Sequence, residues 1–130
     1  MSSTNKGVQV SDDWNFPYSA VQSGGGLLFV SGCLPWRAEG VIEVDEARAV
    51  DSALAVLEER LVAVGASLSQ VVKVTYFVTD LALRDRANDQ FVARWDAPRP
   101  ARSVIGVSSL PHGAMVEIEA IAAAPTTART

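Results

Sequence analysis

Two runs of apolar residues lie on either side of a glycine-rich segment near the N-terminus. The runs YSAVQ and LLFVSG flank Ser23-Gly24-Gly25-Gly26, and turn residues between two such runs are typical of a β-hairpin. Glycines also occur in phosphate-binding loops, but no Gly-Lys-Ser/Thr follows here and the pattern predicts no helix at this point. We therefore interpret the glycines as a hairpin turn.

Two later segments carry apolar residues at three- and four-residue spacing, which predicts amphipathic helices. The first helix is expected over about residues 45–63, with Gly65 as its C′ residue. The second is expected over roughly 82–95 and is stopped by the proline-rich run 96–100. The apolar stripes consist of Val50, Ala53, Leu54, Leu57, Leu61 and Val64 in the first helix, and of Leu83, Ala87, Phe91 and Trp95 in the second.

Three further segments, 71–79, 101–109 and 114–123, alternate in the manner of β-strands. The segment CLPWRAEGVI is interpreted as a loop, with a short strand around 41–44 at its end. The resulting order is ββαβαββ. Hairpins combined with helical crossovers predict an α+β fold, in which a mixed sheet carries both helices on one face.

The totals indicate one domain spanning residues 1–130, with a polar arm over 1–12 and a flexible tail over 125–130. The chain has no long apolar run and no apolar leader, so we expect a cytoplasmic protein that does not contact membranes. A net charge of −4 is unfavourable for a nucleic-acid groove. One cysteine and one histidine, Cys33 and His112, supply few ligands for a metal site and count against a Cys-His or Ser-His-Asp hydrolase. His112 is interpreted as a turn residue.

Charged residues inside the last two strands require an explanation. If the faces carrying Val116/Ile118 and Ser103/Ile105 pack under the helices, then Arg102 and Glu117 both project from the opposite face. That face also carries Met115, Ile121, Val104 and Phe77, and a half-apolar sheet face is typical of an oligomer interface. Residue types leave two interpretations open: an Arg–Glu pair between subunits, or an arginine that binds an anionic ligand beside a carboxylate that handles water or a proton.

The amino-acid sequence of these two strands and their turn resembles that of a known family. The segment PARSVIGVSSLPHGAMVEIEAIA resembles the RidA/YjgF family of reactive-intermediate (enamine/imine) deaminases, whose hallmark joins Ala-Arg-Ser, a Leu-Pro turn and a Glu-Ile-Glu-Ala strand. FPYSAVQ, VSGCLP and VGASLSQVVKVTYFVTDL match other elements of the family. About 110 of the 130 residues are covered.

The resemblance implies a chorismate-mutase-like fold that assembles as a homotrimer with clefts between subunits. It also implies that Arg102 holds the carboxylate of a 2-imino acid and that Glu117 activates the water that attacks the imine carbon, without a metal or cofactor. The products would be a 2-oxo acid and ammonia. The family's substrate-contacting positions map onto Tyr18, Ser31, Gly32 and Asn88.

Several positions depart from the family pattern. Val104 stands where a cysteine is frequent, Phe16 where a glycine is common, and Cys33 where a glutamine is frequent, which leaves the substrate's side chain open. Cys33 and Val104 are candidates for lining the cleft, although an inert buried thiol is the simpler interpretation of Cys33. Trp36 either caps a ligand or covers an interface.

Two other functions are weighed against the deaminase. One is a non-catalytic trimer that binds small carboxylates as a sensor or chaperone-like factor. The other is an endoribonuclease, an activity attached to some family members by name. A single histidine and an acidic charge balance count against ribonuclease activity.

Overall fold

The computed structural model describes the backbone of residues 7–8 and, with side chains, residues 16–38 and 40–125. This part of the chain forms six strands and two α-helices in the order β1-β2-β3-α1-β4-α2-β5-β6. The strands are β1 (Gly7–Val8), β2 (Val21–Gly24), β3 (Leu27–Cys33), β4 (Val71–Val78), β5 (Ala101–Gly106) and β6 (Val116–Ala123); the helices are α1 (Glu46–Ala63) and α2 (Arg84–Arg94).

The strands form one mixed sheet in the order β1-β2-β3-β6-β4-β5. Every neighbouring pair is antiparallel except β4 and β5, which run parallel. Parallel neighbours need a crossover connection, and α2 supplies it. The predicted α+β architecture, a mixed sheet with two helices packed on it, is thereby confirmed.

Helix α1 supplies much of the core because its apolar stripe faces the sheet. Leu54, Leu57 and Leu61 are fully buried, and each contributes about 1.5–3 kcal/mol to folding. The helix ends as predicted: Gly65 has φ +81°. The Ala66 N–H donates to the Leu61 carbonyl at 2.8 Å and the Gly65 N–H donates to the Val62 carbonyl at 3.0 Å. These are the two hydrogen bonds of a Schellman C-cap.

Several predicted boundaries differ from the structure. A 3₁₀ turn, Leu81–Leu83, precedes α2, and the Asp80 carboxylate accepts the Ala82 N–H there at 2.9 Å. Strand β5 ends at Gly106, before the predicted 109. The strand expected over 41–44 is reduced to one bridge between Trp36 and Ile42.

The chain ends are described only in part. Within the predicted polar arm, Gly7–Val8 forms a short edge strand on β2. Most of that arm and positions 126–130 of the predicted tail lie outside the described residues. In the part that is described, no helix combines the length and the apolar character needed to cross a bilayer.

The register of β4, β5 and β6 assigns each strand residue to one of two faces. On the helix face, Tyr76 lies between Ile118 of β6 and Val104 of β5, and Val74 lies beside Arg102. On the opposite face, called the far face below, Phe77 lies between Glu117 of β6 and Ile105 of β5.

The prediction for β6 was right, because Val116 and Ile118 are buried under the helices. The prediction for β5 was wrong: Ser103 and Ile105 occupy the far face, and Arg102 and Val104 the helix face. Each face of β5 carries one apolar residue, so the sequence of β5 does not show which face packs against the helices. The parallel pairing with β4 decides it. Met115 and Val104, both expected on the far face, pack partly against the core.

Candidate functional site

Strand β3 contains an irregularity at the residues of the Ser-Gly motif. Val30 pairs with Ala120 and Cys33 with Ile118, so two residues, Ser31 and Gly32, lie opposite one residue of β6. Such a bulge re-aims side chains and carbonyl groups. Ser31 is held on its other side, since its hydroxyl donates to the Ser19 carbonyl at 2.7 Å.

Glu117 lies directly against this bulge. A Cβ added at Gly32 would collide with a carboxylate oxygen of Glu117 and would lie 2.6 Å from its Cδ. Only a glycine therefore leaves the Glu117 side chain where it is. Burial raises the pKa of the Glu117 carboxyl, and repulsion from Glu119 raises it further, while the charge of Arg60 lowers it. A carboxylate with a raised pKa is suited to accepting a proton near neutral pH.

Arg60 is the functional candidate that the sequence analysis missed. It is 6% exposed on α1, and one guanidinium nitrogen donates to the Ser31 carbonyl at 3.0 Å and to the Gly32 carbonyl at 3.3 Å. The same nitrogen lies 3.4 Å from the Cys33 sulfur. The signal was present in the sequence, because Arg60 falls inside the apolar stripe of α1, between Leu57 and Leu61.

Cys33 faces the interior, not the far face. Its side chain is fully buried, and its thiol donates to the Ser31 carbonyl at 3.3 Å. Burial raises the thiol pKa to about 12, against the opposing charge of Arg60. The structure thus places this candidate cleft residue in the core, as an unreactive thiol.

Arg102 lies at the other end of the site, on edge strand β5. Its guanidinium carbon is 4.8 Å from the centre of the Phe91 ring, a cation–π distance. Its Nη1 is buried and has no hydrogen-bond partner among the described residues. Because a guanidinium cannot lose its charge, a buried N–H of this kind is a strong site for an oxyanion.

A buried polar network underlies the helix that carries Phe91. The Tyr76 hydroxyl donates to the Gln90 side-chain oxygen at 2.9 Å, and the Gln90 amide donates to the Val50 carbonyl at 3.0 Å and to the Asp51 carboxylate at 2.7 Å. Burial raises the pKa of Tyr76, although the nearby charge of Arg102 lowers it. The network ties α2 to α1 and to β4, and so fixes the ring over Arg102.

The two charged candidates therefore do not meet within one chain. Arg102 lies in the row of Val74 on the helix face, and Glu117 in the row of Phe77 on the far face. Three residues along β4 and two strand spacings separate them, about 10 Å in each direction. We call Ser31, Gly32 and Glu117 the Glu117 half-site, and Arg102, Phe91 and Val104 the Arg102 half-site.

Two further predicted positions, Tyr18 and Asn88, are close in sequence to residues of this region. Tyr18 is exposed, stacks on Phe16 with ring centres 5.5 Å apart, and adjoins Ser19, the residue bonded to Ser31. Asn88 lies on the exposed side of α2, three residues before Phe91. His112 adopts the left-handed turn conformation, with φ +60°, as the turn interpretation expects.

Trp36 and His112 form an aromatic contact, with ring centres 5.3 Å apart. The described residues include no group of three or more His, Cys, Asp or Glu side chains that could hold a metal ion. The Arg102 half-site offers a cation, and the Glu117 half-site offers a carboxylate.

Comparison with known proteins identifies the family of this chain. Residues 13–124 match the family model described as Endoribonuclease L-PSP. The chain belongs to the RidA/YjgF family. The match includes both half-sites of this RidA/YjgF member, and it confirms the resemblance seen in the sequence.

Individual relatives carry different names. The chloroplastic Reactive Intermediate Deaminase A of Arabidopsis thaliana is 38% identical over 109 residues, covering 82% of this chain and 58% of the relative. A 2-iminobutanoate/2-iminopropanoate deaminase of Dermatophagoides farinae is 34% identical over 111 residues, covering 81% and 84%. Some members of the family are thus named as imine deaminases.

Solved structures of relatives share the fold. E. coli TdcF, crystallised with bound serine, superposes with a TM-score of 0.74 at 32% identity and covers 85% of this chain and 91% of its own. That relative binds a small amino acid.

Proposed function

We propose that this protein is an enamine/imine deaminase that hydrolyses small 2-imino acids to 2-oxo acids and ammonia. The observation that carries the proposal is the buried Nη1 of Arg102, which lacks a partner among the described residues. A substrate carboxylate would supply that partner. The two relatives named as deaminases support the reaction class.

The site assembles between neighbouring chains of a homotrimer. The Arg102 half-site and the Glu117 half-site lie on opposite faces of one sheet, so a cleft holding both needs Arg102 from one chain and Glu117 from the next. The far face supports such an assembly, because it exposes Phe29 and Ile105, at 44% and 43%, and also carries Phe77. Apolar side chains on a sheet face are typically covered by a partner.

The chemistry needs two groups and no cofactor. Arg102 binds the carboxylate and orients the C=N bond. The Glu117 carboxylate accepts a proton from water while the water oxygen bonds to the imine carbon, and Glu117 then returns that proton to the nitrogen, which gives a carbinolamine. Transfer of the hydroxyl proton through Glu117 to the amine breaks the C–N bond, releases ammonia and leaves a 2-oxo acid. The raised pKa of Glu117 favours this exchange of protons. Tyr18, Ser31, Gly32 and Asn88 line the same cleft.

The test supplies the unstable substrate directly. An amino-acid oxidase generates 2-iminopropionate or 2-iminobutyrate in the assay, and the loss of the imine is followed with and without the protein. We expect Arg102→Ala to return the rate to the uncatalysed value. Arg84→Ala removes an exposed arginine at the start of α2 and should keep the wild-type rate. An unchanged rate in Arg102→Ala would remove the assignment.

A non-catalytic carboxylate-binding trimer is the second candidate, supported by the serine bound to E. coli TdcF. Thermal stabilisation by serine or a 2-oxo acid, without any turnover of the imine, would favour it. Ribonuclease activity has weaker support despite the family model's description, because His112 lies exposed in a turn and the net charge is −4. A cytoplasmic location stays a prediction.

A further inference from the structure

The contacts of Arg60 point to a role that family membership does not assign. This arginine is almost completely buried on α1. It therefore lies on the helix side of the sheet, whereas Glu117 lies on the far face. It donates to the carbonyls of Ser31 and Gly32 and contacts the Cys33 sulfur. Three consecutive residues of the β3 bulge thus meet one guanidinium.

These contacts matter because the bulge supports the proposed base. Gly32 packs directly against the Glu117 carboxyl, so a shift of the bulge backbone would displace the carboxyl as well. A bulge interrupts ladder hydrogen bonding, and Arg60 supplies donors to carbonyls at this irregularity.

The charge of Arg60 reaches the same carboxyl. The charges that act on Glu117 are those of Glu119 on its own strand and of Arg60 from α1, and both also act on the buried Cys33 thiol of β3. Burial and Glu119 disfavour the ionised form of Glu117, whereas Arg60 favours it.

We propose that Arg60 is a positioning residue that holds the 31–33 bulge against Glu117 and adds a positive charge to the surroundings of the proposed base. This role rests on the proposed deaminase function. Arg60 itself does not contact the substrate. It acts through the backbone of the 31–33 bulge and through its electrostatic effect on Glu117.

The test separates charge from hydrogen bonding with two variants. Arg60→Gln removes the charge and keeps a donor, whereas Arg60→Lys keeps the charge and loses the planar fork. The Glu117 titration is followed by carbon NMR of side-chain carboxyls, with Glu117→Gln identifying the signal. Arg48→Gln removes the same charge from an exposed position of α1 and is the matched control.

In Arg60→Gln we expect the Glu117 midpoint and the acid limb of the kcat profile to move together to higher pH. In Arg60→Lys we expect a midpoint close to wild type but a kcat lower by roughly ten- to a hundredfold, because the carboxyl is displaced. Arg48→Gln should change neither quantity. A Glu117 midpoint that stays in place in Arg60→Gln would overturn the proposal, and if that variant does not fold, an unchanged kcat in Arg60→Lys would overturn it.

The NMR titration does not depend on turnover. A wild-type protein without imine hydrolysis would end the proposed function, while the Glu117 midpoint would still decide whether Arg60 controls its ionisation. The two failures are therefore distinguishable.

Discussion

The Glu117 carboxyl occupies the space that a side chain at Gly32 would need. A Cβ at this position would lie 2.6 Å from Cδ of Glu117 and 3.0 Å from its Cγ. The obstacle is the end of a flexible side chain, so the carboxyl can swing away at little cost to folding. Position 32 can therefore be used to move the proposed base without removing it.

Gly32→Ala is expected to abolish most activity while the protein remains folded. The free energy of unfolding should change by no more than about 1 kcal/mol, since Ala is at least as good a strand residue as Gly. Imine hydrolysis should fall by roughly a hundredfold, because the displaced carboxyl no longer meets its water. Gly24→Ala is the control, because a Cβ there meets nothing within 4 Å. Wild-type turnover in Gly32→Ala would contradict the role of Glu117.

Replacing the carboxyl itself should affect turnover and stability in opposite directions. Glu117→Gln should lower kcat by roughly 10²- to 10⁴-fold, the usual contribution of a general base. The wild-type rate should fall as the pH decreases through the pKa of Glu117. Because that pKa is raised, the fall should occur at a higher pH than it would with an ordinary glutamate. A rate that follows an unshifted glutamate would contradict this assignment.

The same raised pKa predicts how stability depends on pH. The folded protein holds the Glu117 proton more tightly than the unfolded chain does, so the shift costs stability above the folded pKa and nothing below the unfolded one. Glu117→Gln should therefore have a higher Tm than wild type at pH 8, and the difference should vanish in acid. Thermal unfolding monitored by circular dichroism across pH measures this directly. A Tm difference that grows toward low pH would have the wrong sign.

Cys33 should behave as a buried thiol, not as a reactive one. With its pKa raised to about 12, the thiolate fraction at pH 8 falls at least about a thousandfold below that of an ordinary cysteine. Labelling of the native protein by a disulfide reagent should be slower than labelling of the denatured protein by at least that factor. Rapid labelling of the native protein would contradict the buried position.

The periodicity of apolar residues predicted both helices, the hairpin and the three later strands within a few positions. The Schellman cap at Gly65 was predictable as well, because glycine at C′ has a local backbone cause. The resemblance of short sequence motifs to the family pattern identified Ser31, Gly32, Arg102 and Glu117.

The faces of β5 could not be predicted in the same way. Arg102-Ser103-Val104-Ile105 offers one apolar residue to each face, and the pairing of Val74 with Arg102 depends on a crossover through α2 that leaves no local trace. Arg60 was missed for another reason. A charge inside an apolar stripe signals a buried polar contact, but its acceptors are two carbonyls and a sulfur that lie 27 to 29 residues earlier in the chain.

The central claim is that Arg102 of one chain and Glu117 of its neighbour form one site. Two variants, Arg102→Ala and Glu117→Gln, are co-expressed with different tags, and trimers containing both chains are purified through both tags. In a ring of three, every mixed trimer contains one cleft with an intact Arg102 and an intact Glu117, so about a third of the wild-type activity should return. Activity no greater than that of either variant alone would contradict the account.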